Sequence, residues 1–201
     1  MNEHSESRTI RYYDDHADEY VRETVGIDMG SLYGPFLELL PNGAKILDAG
    51  CGSGRDSKAF LDMGYELTSI DASEKMVVAT TRLTGLPAHQ RRLQEVSFGR
   101  EFDGIWASAS LLHVPSIELG DILNRFSQSL QANGVCYISF KEGEGERQEG
   151  HRLFSDFTTS TLEGIFAKQS DFDIIRIWTT VDSRPNRTDR WVNALILKRS
   201  D

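Results

Sequence analysis

Residues 44–57 read Ala44-Lys45-Ile46-Leu47-Asp48-Ala49-Gly50-Cys51-Gly52-Ser53-Gly54-Arg55-Asp56-Ser57. The first six form a short apolar run that predicts a buried strand over 44–49. Three glycines at alternate positions follow, and then a helical pattern over 55–63 that Gly64 stops as a C-cap. A strand that enters a glycine-rich turn and leaves as a helix is a ligand cradle. Glycines let the backbone turn tightly and approach a ligand, and the helix start offers free N–H groups. The dinucleotide fingerprint is G-x-G-x-x-G. This chain has G-x-G-x-G, with Arg55 where the last dinucleotide glycine would fall, and no Gly-Lys-Ser/Thr of a phosphate loop follows. Asp48 ahead of the glycines suits a ligand with an ammonium group and would repel a pyrophosphate.

Outward from the turn, the chain alternates. A second strand is expected over 66–70, a helix over 73–83, a weak third strand over 89–93, and a fourth strand over 102–108. An amphipathic helix over 116–130 follows, with Leu119, Ile122, Leu123, Phe126 and Leu130 on one stripe. A fifth strand is expected over 135–140. Asp71 stands at the end of the second strand, where a carboxylate accepts hydrogen bonds from ribose hydroxyls. A helix N-cap is the other reading of Asp71, although Ser73 can itself cap.

Strands alternating with helices predict an α/β fold, a Rossmann-like three-layer sandwich with a mostly parallel sheet. The tail differs. A capping box at Ser160-Thr161-Leu162-Glu163 opens a short helix. Strands over 172–181 and 191–198 follow with only eight polar residues between them. Parallel neighbours need a long crossover, so these two strands pair antiparallel. Upstream, one helix is expected over 9–23 and another over 31–40. Residues 142–152, with three glycines and almost no apolar side chain, read as a surface loop.

The 201 residues suit a single domain, with 1–40 as a helical cap over the cofactor site and 44–201 as the sheet core. A hydrophobic share of 39% and a charged share of 26% fit an ordinary globular chain. No apolar run approaches the roughly 20 residues of a membrane helix, so no membrane partner is expected. The N-terminus lacks the features of a secretory or transit peptide. Cys51 and Cys136 do not form a disulfide framework, which points to a cytoplasmic location. A net charge of −9 argues against nucleic acid, whose partners present a basic face. No metal site is expected.

The segments YYDDHADEY (12–20), ILDAGCGSGRDS (46–57), LTSIDAS (67–73) and FDGIWASASLLHV (102–114) resemble the class I S-adenosylmethionine-dependent methyltransferases. More narrowly, they resemble the small bacterial subgroup near the tellurite-resistance methyltransferases. The resemblance implies a seven-stranded sheet with an antiparallel last strand. It also implies S-adenosyl-L-methionine as cofactor, with S-adenosyl-L-homocysteine as product. Carried over by position, Asp48, Gly50, Cys51 and Gly52 belong to the methionine end and Asp71 to the ribose. Ala72 and Met76 flank the adenine, and Gln94 or Glu95 reads its amino group. Ala107 and Ser108 line the sulfonium side. Tyr12, Tyr13 and Tyr20 lie on a helix closing over the site, with plain amphipathic packing as their other reading. Arg55 reaches the cofactor carboxylate or lies at the surface.

Methyl transfer from a sulfonium is an in-line displacement that needs position and exclusion of water above all. A base is needed only for a protonated nucleophile, and His113 is the candidate, with a structural histidine as the alternative. The fourth strand ends in Ala-Ser-Ala-Ser, without the Pro-Pro-aromatic or Pro-Cys motifs of nucleic-acid methylating relatives. The expected acceptor is a small molecule. Arg184, Arg187 and Trp191, on the loop before the last strand, are candidates to hold an anionic or planar substrate, beside Tyr13. The competing readings are a catalytically idle S-adenosylmethionine-binding regulatory module and a nicotinamide-dependent oxidoreductase.

Overall fold

A computed structural model describes residues 2–184 and 187–200, with side chains from residue 7 onward. The chain begins with α1 (Asn2–Asp15), α2 (Ala17–Thr24) and α3 (Gly30–Leu37). It then alternates through β1 (Lys45–Ala49), α4 (Arg55–Asp62), β2 (Glu66–Asp71), α5 (Glu74–Thr84), β3 (Ala88–Gln90) and β4 (Phe102–Ala107). Next come α6 (Leu119–Ser129), β5 (Leu130–Lys141), β6 (Gly145–Glu149), β7 (Arg152–Asp156) and α7 (Thr159–Phe166). The chain closes with β8 (Phe172–Val181) and β9 (Arg190–Lys198).

The seven-stranded sheet has the order β3-β2-β1-β4-β5-β9-β8. β1 pairs in parallel with β2 and β4, and β4 with β5. β9 runs antiparallel to both β5 and β8. The fold is a Rossmann-like three-layer sandwich, with the tail hairpin folded back so that its second strand lies inside the sheet.

Alternation along the strands builds two cores. On one face Ile46, Trp106, Tyr137 and Leu195 meet Tyr33 and Phe36 of α3 and Phe60 of α4. Trp106 stacks on Tyr137 with ring centroids 3.9 Å apart and planes at 12°. On the other face Leu47, Ile105, Cys136, Ile138 and Ile196 pack against the apolar stripe of α6 and against Leu162 and Phe166 of α7. Of residues 1–40, α3 therefore belongs to a packed layer of the sandwich, while α1 and α2 lie over the strand ends.

Four expected elements are corrected. The helix expected over 9–23 is broken at His16, whose φ of −114° leaves the helical range. The third strand is only Ala88–Gln90, and a 3-10 turn at Leu93–Glu95 replaces its end. Helix α7 is capped by Thr158, not Ser160. The Thr158 hydroxyl accepts from the Thr161 N–H while Thr161 Oγ1 accepts from the Thr158 N–H. The largest correction is at 142–152. In place of a surface loop, β6 pairs antiparallel with β7 from Gly145↔Asp156 to Glu149↔Arg152. Gly150, at φ +60°, and His151 form the two-residue turn that hairpins favour. Every residue of β6 is exposed, so backbone pairing alone marks it as a strand.

Candidate active site

The turn after β1 needs its glycines for stated reasons. Gly50 has φ +93°, and a Cβ there would lie 2.3 Å from Ser110 Cβ. Gly54 has φ +80°, and a Cβ would come within 2.9 Å of the Thr80 backbone. The N–H groups of Gly50 and Cys51 both donate to the Ile70 carbonyl at 2.9 Å, which ties the turn to β2. Asp71, at the end of β2, accepts from the Gly52 N–H and the Ser73 N–H, each at 2.9 Å. Ser73 caps α5 by accepting from the Met76 N–H. Asp71 therefore braces the turn and still presents lone pairs to the cavity beside it. Burial lifts its carboxyl to about 6, against the hydrogen bonds from Ser73 and Gly52.

Two cavities open beyond the ends of β1, β2 and β4. One arm runs between α1 and the start of α5, and Asp71, Ala72, Met76 and Gln94 line it. The other runs toward β5, β7 and the tail hairpin, lined by Cys51, Arg55, Lys141, Arg152, Arg184, Arg187 and Trp191 among others. Seven residues border both: Tyr13, Tyr20, Gly50, Gly52, Ser108, Ala109 and His113.

Four nominated residues stand off these walls. Asp48 is sealed beneath the turn, where its carboxylate accepts from Ser57 Oγ at 2.6 Å. Ala107 is fully buried in β4, and its successors Ser108 and Ala109 form the wall. Glu95 accepts from the Arg92 N–H and borders a separate exposed cleft. Tyr12 stacks on His16 and lies under the Arg152 guanidinium. Gln94 is in the first arm, donating to Glu118 at 2.9 Å. On the tail, the Arg184 guanidinium grips Asp182 in two bonds of 2.9 and 2.6 Å, and Trp191 Nε1 also donates to Asp182.

Several wall residues were not nominated by sequence. Ala109 holds φ +52°, an unusual conformation for a residue with a Cβ, and its N–H donates to Ser139 Oγ. Arg152 and Phe154 arrive on β7. The signal for them was the Gly150-His151 turn followed by alternating Leu153 and Phe154, masked by the charged β6.

The electrostatics divide two buried carboxylates. Burial opposes ionisation of Asp56, but Arg55 at 2.6 Å, with Tyr33 and Trp106 also donating, holds it below the usual range. Asp48, with Ser57 alone and the Asp56 charge nearby, is pushed by burial up to about 8. A raised folded pKa means stability that is complete below the ordinary carboxylate value and lost as pH climbs toward 8. Asp48→Asn removes the group that must carry a proton. Its melting temperature is expected to exceed wild type by a margin that grows from pH 5 to pH 8, by about 2–4 °C for each kcal/mol. Scanning fluorimetry across that range tests it, and a pH-independent difference would refute it.

His113 sits between the arms. Its Nδ1 lies 2.7 Å from the Leu153 carbonyl of β7 and its Nε2 2.7 Å from the Tyr13 hydroxyl of α1. A carbonyl only accepts, so Nδ1 carries the hydrogen. Burial lowers the imidazole to about 4, so Nε2 is bare at neutral pH and Tyr13 donates to it.

The comparisons agree with this geometry. The family described as "Methyltransferase domain" matches residues 46–134, from the glycine turn through β4 to the start of β5. Residues 46–134 are thus similar to the methyltransferase domain, the match that the glycine turn and Asp71 anticipate. The malonyl-[acyl-carrier protein] O-methyltransferase of Enterobacter lignolyticus is 28% identical, over 63% of this chain and 57% of that protein. An uncharacterized methyltransferase of Staphylococcus carnosus is 26% identical, over 51% and 50%. The chain thus spans little more than half the length of these curated relatives. Among solved structures, the 1,6-didemethyltoxoflavin-N1-methyltransferase of Burkholderia thailandensis superposes with a TM-score of 0.78. It is 23% identical over 97% of this chain and 87% of that one. Its structure contains S-adenosylhomocysteine and 1,6-didemethyltoxoflavin. The [4+2]-cyclase SpnF superposes at 0.72 with 15% identity over 95% of each chain. S-adenosylmethionine is the cofactor of this methyltransferase family. The residues present fit it: a turn with no room for a Cβ at Gly50, the Asp71 carboxylate beside the cavity at the end of β2, and a buried Arg55–Asp56 pair on the far side of the turn.

Proposed function

We propose that this methyltransferase moves the methyl group of S-adenosylmethionine to a small-molecule acceptor. The observation that carries the proposal is the shared wall of the two arms. Cofactor in the Asp71 arm and acceptor in the Lys141–Arg152 arm would meet at Tyr13, Gly50, Ala109 and His113. Bound cofactor supplies an electrophilic methyl carbon on a sulfonium. The chain supplies the rest by binding, alignment and exclusion of water. Asp71 accepts from the ribose, Ala72 and Met76 flank the adenine, and Arg55 with Asp56 faces the amino-acid end. Arg152, Arg184 and Arg187 give the acceptor arm a basic rim that favours an anionic substrate. Arg184 is largely neutralised by Asp182. Arg152 pairs more loosely, with Glu149 at 3.2 Å, and keeps its buried Nε without a hydrogen-bond partner, which makes it the better anchor. The small molecule bound in the Burkholderia structure supports a small acceptor.

Titration calorimetry with S-adenosylmethionine and S-adenosylhomocysteine is expected to show binding of both. Methyl transfer is then screened over thiols, small acids, amines and chalcogen oxyanions. Absence of binding refutes the reading. Binding without transfer to any acceptor leaves the regulatory module, and heat from NAD would favour the oxidoreductase. On an anionic acceptor, Arg184→Ala and Arg187→Ala are each expected to lower kcat/KM about tenfold, roughly 1.4 kcal/mol. Unchanged kinetics in both would remove the loop arginines from recognition.

A further inference from the structure

We infer that Tyr13 and His113 form a proton relay for the acceptor, with the Tyr13 hydroxyl facing the substrate and the His113 imidazole receiving the proton. The inference rests on the methyl-transfer reading above and names the acceptor class, a nucleophile that arrives protonated, such as a phenol or an N–H heterocycle.

Two contacts fix the polarity of the relay. The Leu153 carbonyl holds the hydrogen on Nδ1, at 2.7 Å. Nε2 therefore points its lone pair at the Tyr13 hydroxyl, also at 2.7 Å. With its hydrogen committed to Nε2, the Tyr13 oxygen can only accept from the cavity side, which is the polarity an X–H acceptor needs. Both side chains border the two arms, so the oxygen stands where acceptor and methyl group meet. His113 borders the arms with its ring, but both of its nitrogens are engaged, Nε2 by Tyr13, so it reaches the acceptor's proton through the Tyr13 hydroxyl.

The supporting contacts come from three elements. Thr9 of α1 accepts from the Leu153 N–H at 3.1 Å, which locks α1 onto β7 at the residue whose carbonyl holds His113. Phe154 packs its ring edge-on against the imidazole, with centroids 4.9 Å apart. Tyr20 packs edge-on against Tyr13 at 5.2 Å. The charged and titratable groups facing the pair are Arg152 and Lys141 toward His113, and Tyr20, Arg152 and Asp71 toward Tyr13. The two cations, with burial, keep the imidazole neutral in the resting site.

The step balances. The acceptor's X–H bond breaks and its electron pair forms the bond to the methyl carbon, while the carbon–sulfur pair stays with sulfur. The proton goes to the Tyr13 oxygen as Tyr13's own proton passes to Nε2. One positive charge is lost at sulfur and one appears on His113, so the buried site keeps its net charge through the step. Product release then lets the imidazolium return its proton to water.

Two measurements test the relay. The first needs no turnover: nitrogen-15 NMR of the S-adenosylhomocysteine complex. The expected result is His113 in the Nδ1–H tautomer, neutral down to about pH 5, with an Nε2 shift that moves in Tyr13→Phe. An Nε2–H tautomer, ordinary titration near 6.5, or an Nε2 signal indifferent to Tyr13→Phe would overturn it. The second compares 4-hydroxybenzoate, whose phenol is protonated at pH 7.5, with 4-mercaptobenzoate, whose thiol is ionised. Tyr13→Phe and His113→Gln are expected to lower kcat on the phenol about 100-fold and to cost at least tenfold less on the thiolate. His113→Gln keeps an acceptor for the Tyr13 hydroxyl but cannot take up a proton, which separates proton transfer from packing. Equal losses on both acceptors, or none on the phenol, would overturn the relay. If neither compound reacts, the NMR result alone decides. Failure of S-adenosylhomocysteine to bind wild type would instead sink the methyl-transfer reading itself.

Discussion

Gly50→Ala is expected to lower the melting temperature by roughly 5–15 °C and to abolish measurable S-adenosylhomocysteine binding. The new Cβ would sit 2.3 Å from Ser110 Cβ, a separation no packing tolerates. Ser110 cannot swing aside freely, because its hydroxyl donates to the Ala49 carbonyl at 2.6 Å at the end of β1. Forced overpacking costs about 1–3 kcal/mol, and a left-handed alanine adds about 1–2 kcal/mol. The turn must then move, and it carries the Gly52 N–H that Asp71 accepts. The double variant Gly50→Ala with Ser110→Gly removes the clash and keeps the backbone strain, so it should recover about half of the lost stability. Thermal melts and calorimetry of both variants check this. A single variant as stable as wild type would mean that the turn is not held as described.

Asp71→Asn is expected to weaken S-adenosylhomocysteine binding by about 10–100-fold, roughly 1.4–3 kcal/mol, and to cost the fold about 1–3 kcal/mol, because one of the two bracing N–H groups then faces an amide nitrogen. An amide keeps the size of the side chain but has one accepting oxygen where the carboxylate has two. The Gly52 and Ser73 N–H groups already claim one each, so the ribose hydroxyls lose their partner. The pH dependence separates this from simple loosening. Asp71 is held at about 6, and its ionised form is the acceptor. Wild-type affinity should therefore be constant above pH 6 and fall toward tenfold per pH unit below it, while Asp71→Asn stays flat across that range. Calorimetry at pH 5 to 8 reads both, and parallel profiles would exclude Asp71 as the titrating group.

Local features carried most of the fold in the sequence. The strand at 44–49, the Gly64 stop and the stripe from Leu119 to Leu130 each reflect periods of 2 or 3.6, and these are properties of neighbouring residues. The short link between the last strands was enough to make them antiparallel. The β6–β7 hairpin was not legible, because β6 has no buried face and its evidence as a strand is pairing with β7. The break at His16 was hidden because Tyr13, Ala17 and Tyr20 keep helical spacing across it.

The cofactor half of the candidate site follows the chain closely. Gly50, Gly52, Asp71, Ala72 and Met76 lie within two strand-to-helix turns, so their order in sequence is their order in space. The acceptor half is assembled from α1, the end of β4, β5, β7 and the tail hairpin, segments distant in sequence, 144 residues apart at the Thr9–Leu153 contact alone. Arg152 looked like one charge among many and becomes a wall of the cavity only because β7 folds over His113.

What the sequence by itself determined is a glycine turn between a strand and a helix, with Asp48 before it and Asp71 after the next strand. Backbone freedom at glycine and the reach of one carboxylate are local matters. Tertiary structure alone decided that Asp48 is sealed under the turn, that Asp71 braces it, and that His113 stands against Tyr13 between the two cavities. Those outcomes depend on burial and on which carbonyl or hydroxyl stands within about 3 Å, and only packing of distant elements sets such distances.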